Sequence, residues 1–590
     1  MKDFFKYVLA TVVGLIAFGI IITIFGVMSI VGMIASGEAT QNVSDNSVLV
    51  LKMSGLIEEQ GQDNLFNRFS GNVVSTSGLD NILSAIDKAK TNDKIRGIYI
   101  EAGAMQTGYA TLQEIRNALL DFKKSKKWIV AYGDVYSQGA YYLASVADKV
   151  YLNPQGMIDW HGLSSQPEYY KDLMAKVGVR MQVVKVGTYK SFTEMYTEDK
   201  MSDANRQQVS AFINGTWSNV CKAVSESRKL STDSLNAYAD RLISFEPAEN
   251  MKKYKLVDAL VYADQMKDEI KKRLRLGADE DINQLSVSDM KNVKRTDTKG
   301  ETVAVYYAYG SIVQTDAGSA FSQEHSIVSE NVCKDLEDLM DDDDVKAVVI
   351  RVNSGGGDAF ASEQIWHQVK ELKAKKPVVI SMGDYAASGA YYMSCNANWI
   401  VAQPNTLTGS IGIFAAIPDM SGLITKKLGV KFDEVKTNRN STFGNVFARP
   451  FSSEELGYMQ SYVNRGYALF RKRVADGRHR NTSDIEKIAQ GRVWLGNDAL
   501  KIGLVDQLGG LRDAVAKAAS LAKLSEYHTS EYPAVLGWQD QLLGAVNQGS
   551  NLDSQMRVIL GDFYEPFSLL RNLNGREVLQ ARIPYIINMK

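Results

Sequence analysis

The sequence predicts an α/β protein built from two homologous halves. A pattern that begins at Gly133 (GDVYSQGAYY) returns 250 residues later at Gly383 (GDYAASGAYY). Around both copies, short apolar runs alternate with stretches of helical periodicity, which indicates parallel strands joined by helical crossovers. We therefore expect two tandem domains with the same strand order, related by pseudo-symmetry.

The elements follow one another most clearly in the second half of the chain. Strands are predicted over 303–309, 345–352, 378–382 and 399–402, and helices over 330–340 and 361–374. The first half repeats these runs at a spacing near 250, for example at 94–100 and again at 256–258. A polar, charge-rich stretch between the halves predicts a linker.

The N-terminus predicts a membrane anchor. Residues 7–37 contain no charged side chain. A helix over 8–35 would be about 42 Å long at ~1.5 Å per residue, enough for a hydrocarbon core of about 30 Å. Lys2 and Lys6 precede the run and Glu38 follows it, so the positive-inside rule places the N-terminus in the cytoplasm. The alternative is a cleaved signal peptide, whose apolar region is normally shorter.

These observations divide the chain into six segments and place it in the cell. We expect a single-pass protein of the inner (cytoplasmic) membrane with its domains on the periplasmic side. The predicted segments are a cytoplasmic N-terminus (1–7), a transmembrane anchor (8–35), an N-terminal domain (46–275), a linker (276–301), a C-terminal domain (302–525) and a C-terminal extension (526–590).

Composition excludes several classes of function. The 590 residues carry a net charge of −1, which gives no reason to expect nucleic acid as a partner. The three cysteines, Cys221, Cys333 and Cys395, have neither a disulfide framework nor zinc-ligand spacing. None of the five histidines lies in a metal-binding motif. We therefore expect no metal and no cofactor.

Ser388 is the candidate nucleophile. It lies among small residues between a predicted strand and a predicted helix start, where free backbone N–H groups favour a developing oxyanion. The equivalent residue in the first half is Gln138, which has no hydroxyl. The glycine run at 355–357 is likewise missing from the first-half loop at 103–107. Joint loss of the serine and the glycines indicates a shared role, with Gly389 and either Gly356 or Gly357 as oxyanion donors.

Lys190 is the candidate general base for that serine. Its equivalent in the second half is Asn440, with Arg439 beside it. Neither residue can act as a base, because an amide has no useful basicity and a guanidinium stays protonated. One half therefore keeps the nucleophile and the other keeps the amine. We expect an active site assembled from two domains, with a lysine whose pKa is lowered by burial.

These motifs together resemble the signal peptide peptidase A family in its long, duplicated form. The resemblance covers nearly the whole chain and is carried by 186–191 (VGTYKS), 351–357 (RVNSGGG), 381–389 (SMGDYAASG), 406–414 (TLTGSIGIF) and 503–510 (GLVDQLGG). Gly355 stands where the family typically has proline. The resemblance implies a fold similar to Clp protease and crotonase, and a Ser/Lys dyad that falls on Ser388 and Lys190. It also implies that Ser410 assists the lysine.

The same resemblance implies the biological setting. Members of the family are membrane-anchored serine endopeptidases that degrade cleaved signal peptides through an acyl-enzyme, and the fused form is a homotetramer. We therefore expect signal peptides and other extended peptides as substrates.

Three other classes of function stay open on the sequence. A Ser-His-Asp hydrolase is one, but the segment around Ser388 is not a G-x-S-x-G elbow. A crotonase-like acyl-CoA enzyme would share the fold, yet would not need a membrane anchor. A non-catalytic membrane scaffold predicts no reaction with serine-directed acylating probes, so labelling with such a probe separates the alternatives.

Overall fold

A computed structural model describes residues 42–61, 76–294, 299–315, 325–534 and 580–582. The predicted anchor at 8–35 lies outside these ranges. Within them, no helix is both long and apolar enough to cross a membrane.

The first half contributes eight strands and ten α-helices among the described residues. The strands are β1 Ser47–Glu58, β2 Thr76–Gly78, β3 Ile95–Gln106, β4 Trp128–Tyr136, β5 Lys149–Ile158, β6 Arg180–Val186, β7 Ala259–Leu260 and β8 Gln284–Leu285. The helices are α1 Leu79–Thr91, α2 Tyr109–Lys123, α3 Gln138–Ala144, α4 Lys171–Val177, α5 Glu194–Thr197, α6 Asp203–Arg228, α7 Thr232–Asp240, α8 Ala248–Lys253, α9 Ala263–Leu274 and α10 Val287–Lys291.

The described part of the second half contributes thirteen strands and seven α-helices. The strands are β9 Glu301–Tyr309, β10 Ser311–Val313, β11 Ser326–Val328, β12 Val345–Ser354, β13 Gly356–Asp358, β14 Val378–Ala387, β15 Trp399–Ala402, β16 Leu407–Gly409, β17 Ile413–Asp419, β18 Val493–Leu495, β19 Gln507–Leu508, β20 Tyr527–Tyr532 and β21 Gln580–Arg582. The helices are α11 Ser329–Asp341, α12 Ala359–Lys375, α13 Gly389–Ser394, α14 Ser453–Gly477, α15 Thr482–Ile488, α16 Gly496–Lys501 and α17 Leu511–Leu521. Short 3-10 and π turns occur at Ile243–Phe245 and Gly422–Lys427.

The two halves form sheets of the same strand order. In the first half the parallel core runs β1-β3-β4-β5-β7, and in the second it runs β9-β12-β14-β15-β19. Helices cover both faces of each sheet. In the second half α12 packs on one face through Ile365 and Val369, and α17 packs on the other through Ala514 and Ala518. The α/β class predicted from the alternating pattern is therefore confirmed, and the predicted strands and helices of the second half all occur.

A third sheet joins the halves. The sequence pattern did not predict this sheet. Its order is β11-β10-β13-β21-β17-β6. Strand β6 belongs to the first half, and it pairs antiparallel with β17 of the second half from Ile413↔Val186 to Asp419↔Arg180. The pairing buries Val184 against the second-half core, and Met181 against Phe414 and Ala416.

The segments predicted as a linker and a C-terminal extension are partly built into the sheets. In the stretch 276–301, β8 pairs with β1, and Met290 of α10 is buried under α1. Apolar residues spaced among the charges anchor this stretch, so it is not a free connection. Beyond residue 525, β20 forms the edge strand next to β9. The boundaries of the domains in solution stay a prediction.

Polar groups buried between the halves fix their relative position. Asp384 of β14 accepts hydrogen bonds from the backbone N–H groups of Ala110 and Thr111, both at 2.9 Å, and from the Thr111 hydroxyl at 2.6 Å. These donors lie in the first turn of α2, whose N-cap residue, Gly108, offers no side chain. Asp384 therefore caps a first-half helix from the second half.

Asp384→Ala should lower the free energy of unfolding by about 2–4 kcal/mol, because buried helix donors lose their acceptor. Urea denaturation followed by circular dichroism measures the change. Asp384→Asn is the matched control, because it keeps one oxygen for the backbone donors and should lose less. Unchanged stability of the alanine variant would contradict the inter-half cap.

Candidate active site

Three strand ends bring the predicted site residues together. Ser388 follows the last residue of β14, and Ser410 follows the last residue of β16. These two ends are adjacent because Ala387 pairs with Gly409. Lys190 comes shortly after β6 and reaches the same place because β6 pairs with β17, which begins just beyond Ser410. The site therefore contains residues from both halves of one chain.

The three side chains are in direct contact. Lys190 Nζ lies 2.7 Å from Ser388 Oγ and 3.1 Å from Ser410 Oγ. A third contact, of 3.4 Å, joins Nζ to the backbone oxygen of Ser410. All three residues are completely buried. The structure thus assembles the predicted lysine and both predicted serines at hydrogen-bonding distance.

The backbone of Ser388 is strained. Its φ of 59° and ψ of −117° fall in a region that residues with a side chain rarely adopt. Its N–H donates to the Gly409 carbonyl at 2.8 Å, and α13 begins at the next residue, Gly389. This turn aims the hydroxyl at Lys190 while the first N–H groups of α13 lie beside it. Helix-start N–H groups have no intrahelical acceptor, so they can receive an oxyanion.

The surroundings of Lys190 are apolar and tightly packed. A Cβ added to Gly412 would lie 3.3 Å from Lys190 Cδ, and one added to Gly491 would lie 2.7 Å from Lys190 Cβ. The ring of Phe414 is 5.9 Å from Nζ. Burial lowers the pKa of the Lys190 amine well below its ordinary value of 10.5, because a desolvated ammonium is unfavourable. An amine with a lowered pKa can accept a proton near neutral pH.

Two glutamines that the sequence analysis did not single out hold the lysine turn. The Gln490 carbonyl accepts from Tyr189 N–H at 2.9 Å. The Gln208 amide of α6 donates to the Tyr189 carbonyl at 3.0 Å, and its oxygen accepts from Val493 N–H. Gln490 directly precedes residues 491–494 (GRVW), a stretch that also belongs to the family resemblance and could have drawn attention to it. Gln208 lies in a long helix where no pattern distinguishes it.

The predicted glycine loop lies beside the serine as strand β13. Gly356 has a φ of +101°, which favours glycine. Its N–H donates to Ser354 Oγ at 3.1 Å. Gly357 pairs with Ile312 of β10, and a Cβ there would lie 2.1 Å from the Ile312 oxygen. The glycines are therefore needed for close packing, while their predicted role as oxyanion donors stays a prediction.

The equivalent positions in the other half are occupied differently. The Gln138 side chain is buried, and its oxygen accepts from His161 and Gly162 N–H at 2.9 and 2.7 Å. The amide thus fills the first-half slot with backbone contacts. Asn440, opposite in the repeat to Lys190, is exposed. The chain therefore brings the lysine and the serine together in one place.

Comparison with known proteins gives a consistent result. The signature of "Peptidase family S49" matches twice, at residues 121–277 and 370–525. "Protease 4" of Salmonella typhi is 37% identical over 87% of this chain and 85% of its own length. "Protease 4" of Haemophilus influenzae is 32% identical over 84% and 82%. "Serine protease SPPA, chloroplastic" of Arabidopsis thaliana is 30% identical over 82% and 70%.

Among solved structures, a mutant ClpP1 from Listeria monocytogenes aligns with 36% of this chain and 94% of its own, at 17% identity and a TM-score of 0.23. The similarity to the Clp protease and crotonase folds that the family resemblance implies stays a prediction.

The α/β fold and these relatives define the chain as a serine peptidase. More narrowly, it belongs to peptidase family S49, in the duplicated form whose family signature occurs once in each half. The resemblance drawn from the sequence motifs is thereby confirmed.

Lys190→Met should stabilise the fold at neutral pH, because a side chain of similar length removes a desolvated amine. The folded lysine has a lowered pKa, whereas the unfolded lysine binds a proton up to about pH 10.4. Folding therefore releases a proton in this range, and wild-type stability rises with pH. The gain from Lys190→Met should shrink between pH 7 and pH 10, as measured by urea denaturation. A pH-independent gain would contradict a lowered lysine pKa.

Proposed function

We propose that the chain is a membrane-anchored endopeptidase that degrades cleaved signal peptides with Ser388 as nucleophile and Lys190 as general base. The observation that carries the proposal is the 2.7 Å contact between the two buried side chains. A lysine kept neutral by burial is a base suited to a serine hydroxyl. The reaction needs these side chains, backbone donors and water.

The proposed reaction has two steps. The neutral Lys190 amine takes the proton of the Ser388 hydroxyl while Oγ attacks the scissile carbonyl. The resulting ammonium gives that proton to the leaving amine as the C–N bond breaks, which leaves an ester on Ser388. In the second step Lys190 takes a proton from water, hydroxide attacks the ester, and the proton returns to Oγ. Ser410 orients the amine through its 3.1 Å contact.

Backbone donors would stabilise the oxyanion of both steps. Gly389 supplies the first free N–H of α13, and Gly356 or Gly357 supplies a second from β13. Gly356 N–H already donates to Ser354 Oγ, so its use would require that hydrogen bond to be exchanged.

The third sheet supports extended peptides as substrates. The short strand β21 pairs antiparallel with β13, from Gly356↔Arg582 to Asp358↔Gln580, and with β17 at Phe414. Its position shows that the gap between β13 and β17 accepts a strand next to the glycine loop. A substrate peptide in the place of β21 would form main-chain hydrogen bonds on both sides, which recognise an extended backbone with little regard to sequence. Signal peptides suit such a groove once they are released and extended.

The cellular setting is also a proposal. The apolar run at 8–35 would anchor the chain once in the inner membrane, with both halves on the periplasmic side. An anchor next to the catalytic halves keeps them near the membrane in which signal peptides remain.

Unpaired counterparts of the β6–β17 pair support an oligomer. The turns before β6 and before residues 431–437 are alike, because Gly178 and Gly429 have φ of +84° and +74°. Met181 and Val184 of β6 are buried, yet their counterparts Phe432 and Val435 are 46% and 99% exposed. The counterpart of β17, residues 163–169, is not a strand either.

The proposed oligomer contact joins segment 431–437 of one copy to segment 163–169 of another. Residues 431–437 of one copy can pair with 163–169 of the next, just as β6 pairs with β17 within the chain. Such head-to-tail pairing gives a ring where the rotation between successive copies closes. The family resemblance implies that four copies form the oligomer, a homotetramer.

A fluorophosphonate probe tests the catalytic assignment. It should label Ser388 of the detergent-solubilised chain, and the rate should rise with pH as Lys190 loses its proton. Because burial lowers the pKa of Lys190, the labelling rate should reach half of its maximum well below pH 10.5. Peptide mapping locates the label. Ser388→Ala should abolish both labelling and peptide cleavage, and Lys190→Met should reduce both by at least ~10².

Labelling of Ser388 at an undiminished rate in Lys190→Met would refute the lysine's role. A label on another serine would refute the nucleophile. The matched control is Ser137→Ala, which removes the serine next to Gln138 in the first half and should leave the rate unchanged.

Val435→Glu should dissociate the oligomer, because a charge would replace an apolar residue at the proposed strand pair. Light scattering coupled to size exclusion measures the mass in detergent, with the detergent contribution subtracted. The control is Phe245→Glu, which adds the same charge at another residue that is 81% exposed and should leave the mass unchanged. Equal masses for wild type and Val435→Glu would contradict this interface.

A further inference from the structure

Glu59 connects the first half to the two strands that carry the second-half site. It follows β1, is 3% exposed, and extends its carboxylate into the second half. One oxygen lies 2.7 Å from Arg351 Nε, and the other accepts from Asn353 Nδ2 at 2.7 Å. Both partners lie on β12, the strand that leads into the glycine loop.

Asn353 in turn holds the strand that leads to Ser388. Its Oδ1 accepts from Tyr385 N–H at 3.0 Å. The register explains why a side chain is needed there. Pairing of β12 with β14 runs regularly to Val352↔Met382 and resumes at Ser354↔Ala386, so two residue steps on β12 face four on β14. The bulge removes Tyr385 from the ladder between β12 and β14. The Asn353 side-chain oxygen takes the place of a backbone acceptor on β12.

The Glu59 carboxylate decides which way the Asn353 amide points. A carboxylate accepts only, so it selects the Nδ2 end of the amide and directs Oδ1 toward Tyr385. Gly383 leaves the room for this contact, because a Cβ there would lie 2.6 Å from Glu59 Oε1 and 2.9 Å from Asn353 Cγ. The residue that corresponds to Asn353 in the first half is Gly103, which has no side-chain amide. That half also has no serine at the nucleophile position.

We propose that Glu59 is a positioning residue for the peptidase reaction. By fixing the Asn353 amide, it sets the spacing between the ends of β12 and β14, and hence between the glycine loop and Ser388. The inference rests on the proposed role of Ser388. Glu59 touches no reacting atom, so its effect should appear in the rate of acylation and not in the binding of substrate.

Glu59→Gln tests this in the full-length chain. The new amide cannot accept from both Arg351 and Asn353, because one of its two ends is a donor. Asn353 should then lose its fixed orientation. We expect the fluorophosphonate labelling rate and kcat for a peptide substrate to fall at least tenfold with KM within twofold, measured well below the thermal midpoint of each variant.

Glu114→Gln is the matched control for lost stability. A Glu114 oxygen lies 2.9 Å from Arg351 Nη2 and the other accepts from Leu511 N–H, whereas the Asn353 side chain bonds to Glu59 and Tyr385. Its substitution should lower the thermal midpoint as Glu59→Gln does and leave the labelling rate within threefold of wild type. Equal losses of rate in the two variants would overturn the proposal, since a general weakening of the buried ion pairs would then be enough.

Asn353→Ala supplies a second, independent variant. It should lose about as much labelling rate as Glu59→Gln, and the double variant should be no slower than either, because both act through one hydrogen bond. Multiplied losses in the double variant would overturn the proposal. Failure of the probe to label Ser388 in the wild type would refute the proposed nucleophile instead, so the two hypotheses fail separately.

Discussion

The pairing of β6 with β17 is the constraint on which the site depends. Seven residue pairs hold a first-half strand against a second-half strand. Without this pairing, nothing would hold the Lys190 turn against the second half. The amine and the Ser388 hydroxyl would then lie in separate domains. Hydrogen bonds of the backbone make the pairing, and its register fixes where β6 ends and hence where the Lys190 turn begins. Gln208 and Gln490 then secure the turn that follows β6.

Two features of the site are unfavourable for folding, and the inter-half contacts offset them. A desolvated lysine and a serine at positive φ both destabilise the native state. Asp384 caps a helix of the other half, and Arg351 is completely buried between Glu59 and Glu114. Breaking either contact would leave a buried donor or charge without its partner, so the halves have few ways to shift. Rigid docking is what keeps an amine at 2.7 Å from a hydroxyl.

The sequence predicted the α/β class, and the repeat provided an internal comparison that singled out Ser388 and Lys190. Ser410 came from the family resemblance alone. A residue lost in one half and present in the other stands out, as Ser388 does against Gln138 and Lys190 does against Asn440. The third sheet could not be predicted this way. Strand β6 ends at Val186 and its partner β17 begins at Ile413, so the pair that joins the halves comes from distant segments, and neither carries a signal of its partner. Glu59 was missed for a related reason: an acid after a strand is usually solvated, and only its partners on β12 give it a role.

Division of the site between the halves explains why the second-half counterpart of β6 lies open. With Gln138 bonded to the backbone at His161 and Gly162, the first half no longer offers a hydroxyl to a lysine. The segment 431–437 therefore has no catalytic amine to deliver. A spacing of 250 sets Asn440 opposite Lys190, and the spacing of 251 that aligns Gly178 with Gly429 sets Ser441 there. The segment's apolar residues Phe432 and Val435 are nevertheless exposed in the single chain. A surface with exposed apolar residues and no catalytic amine fits a purely structural contact, which is the role we propose for it between copies of the chain.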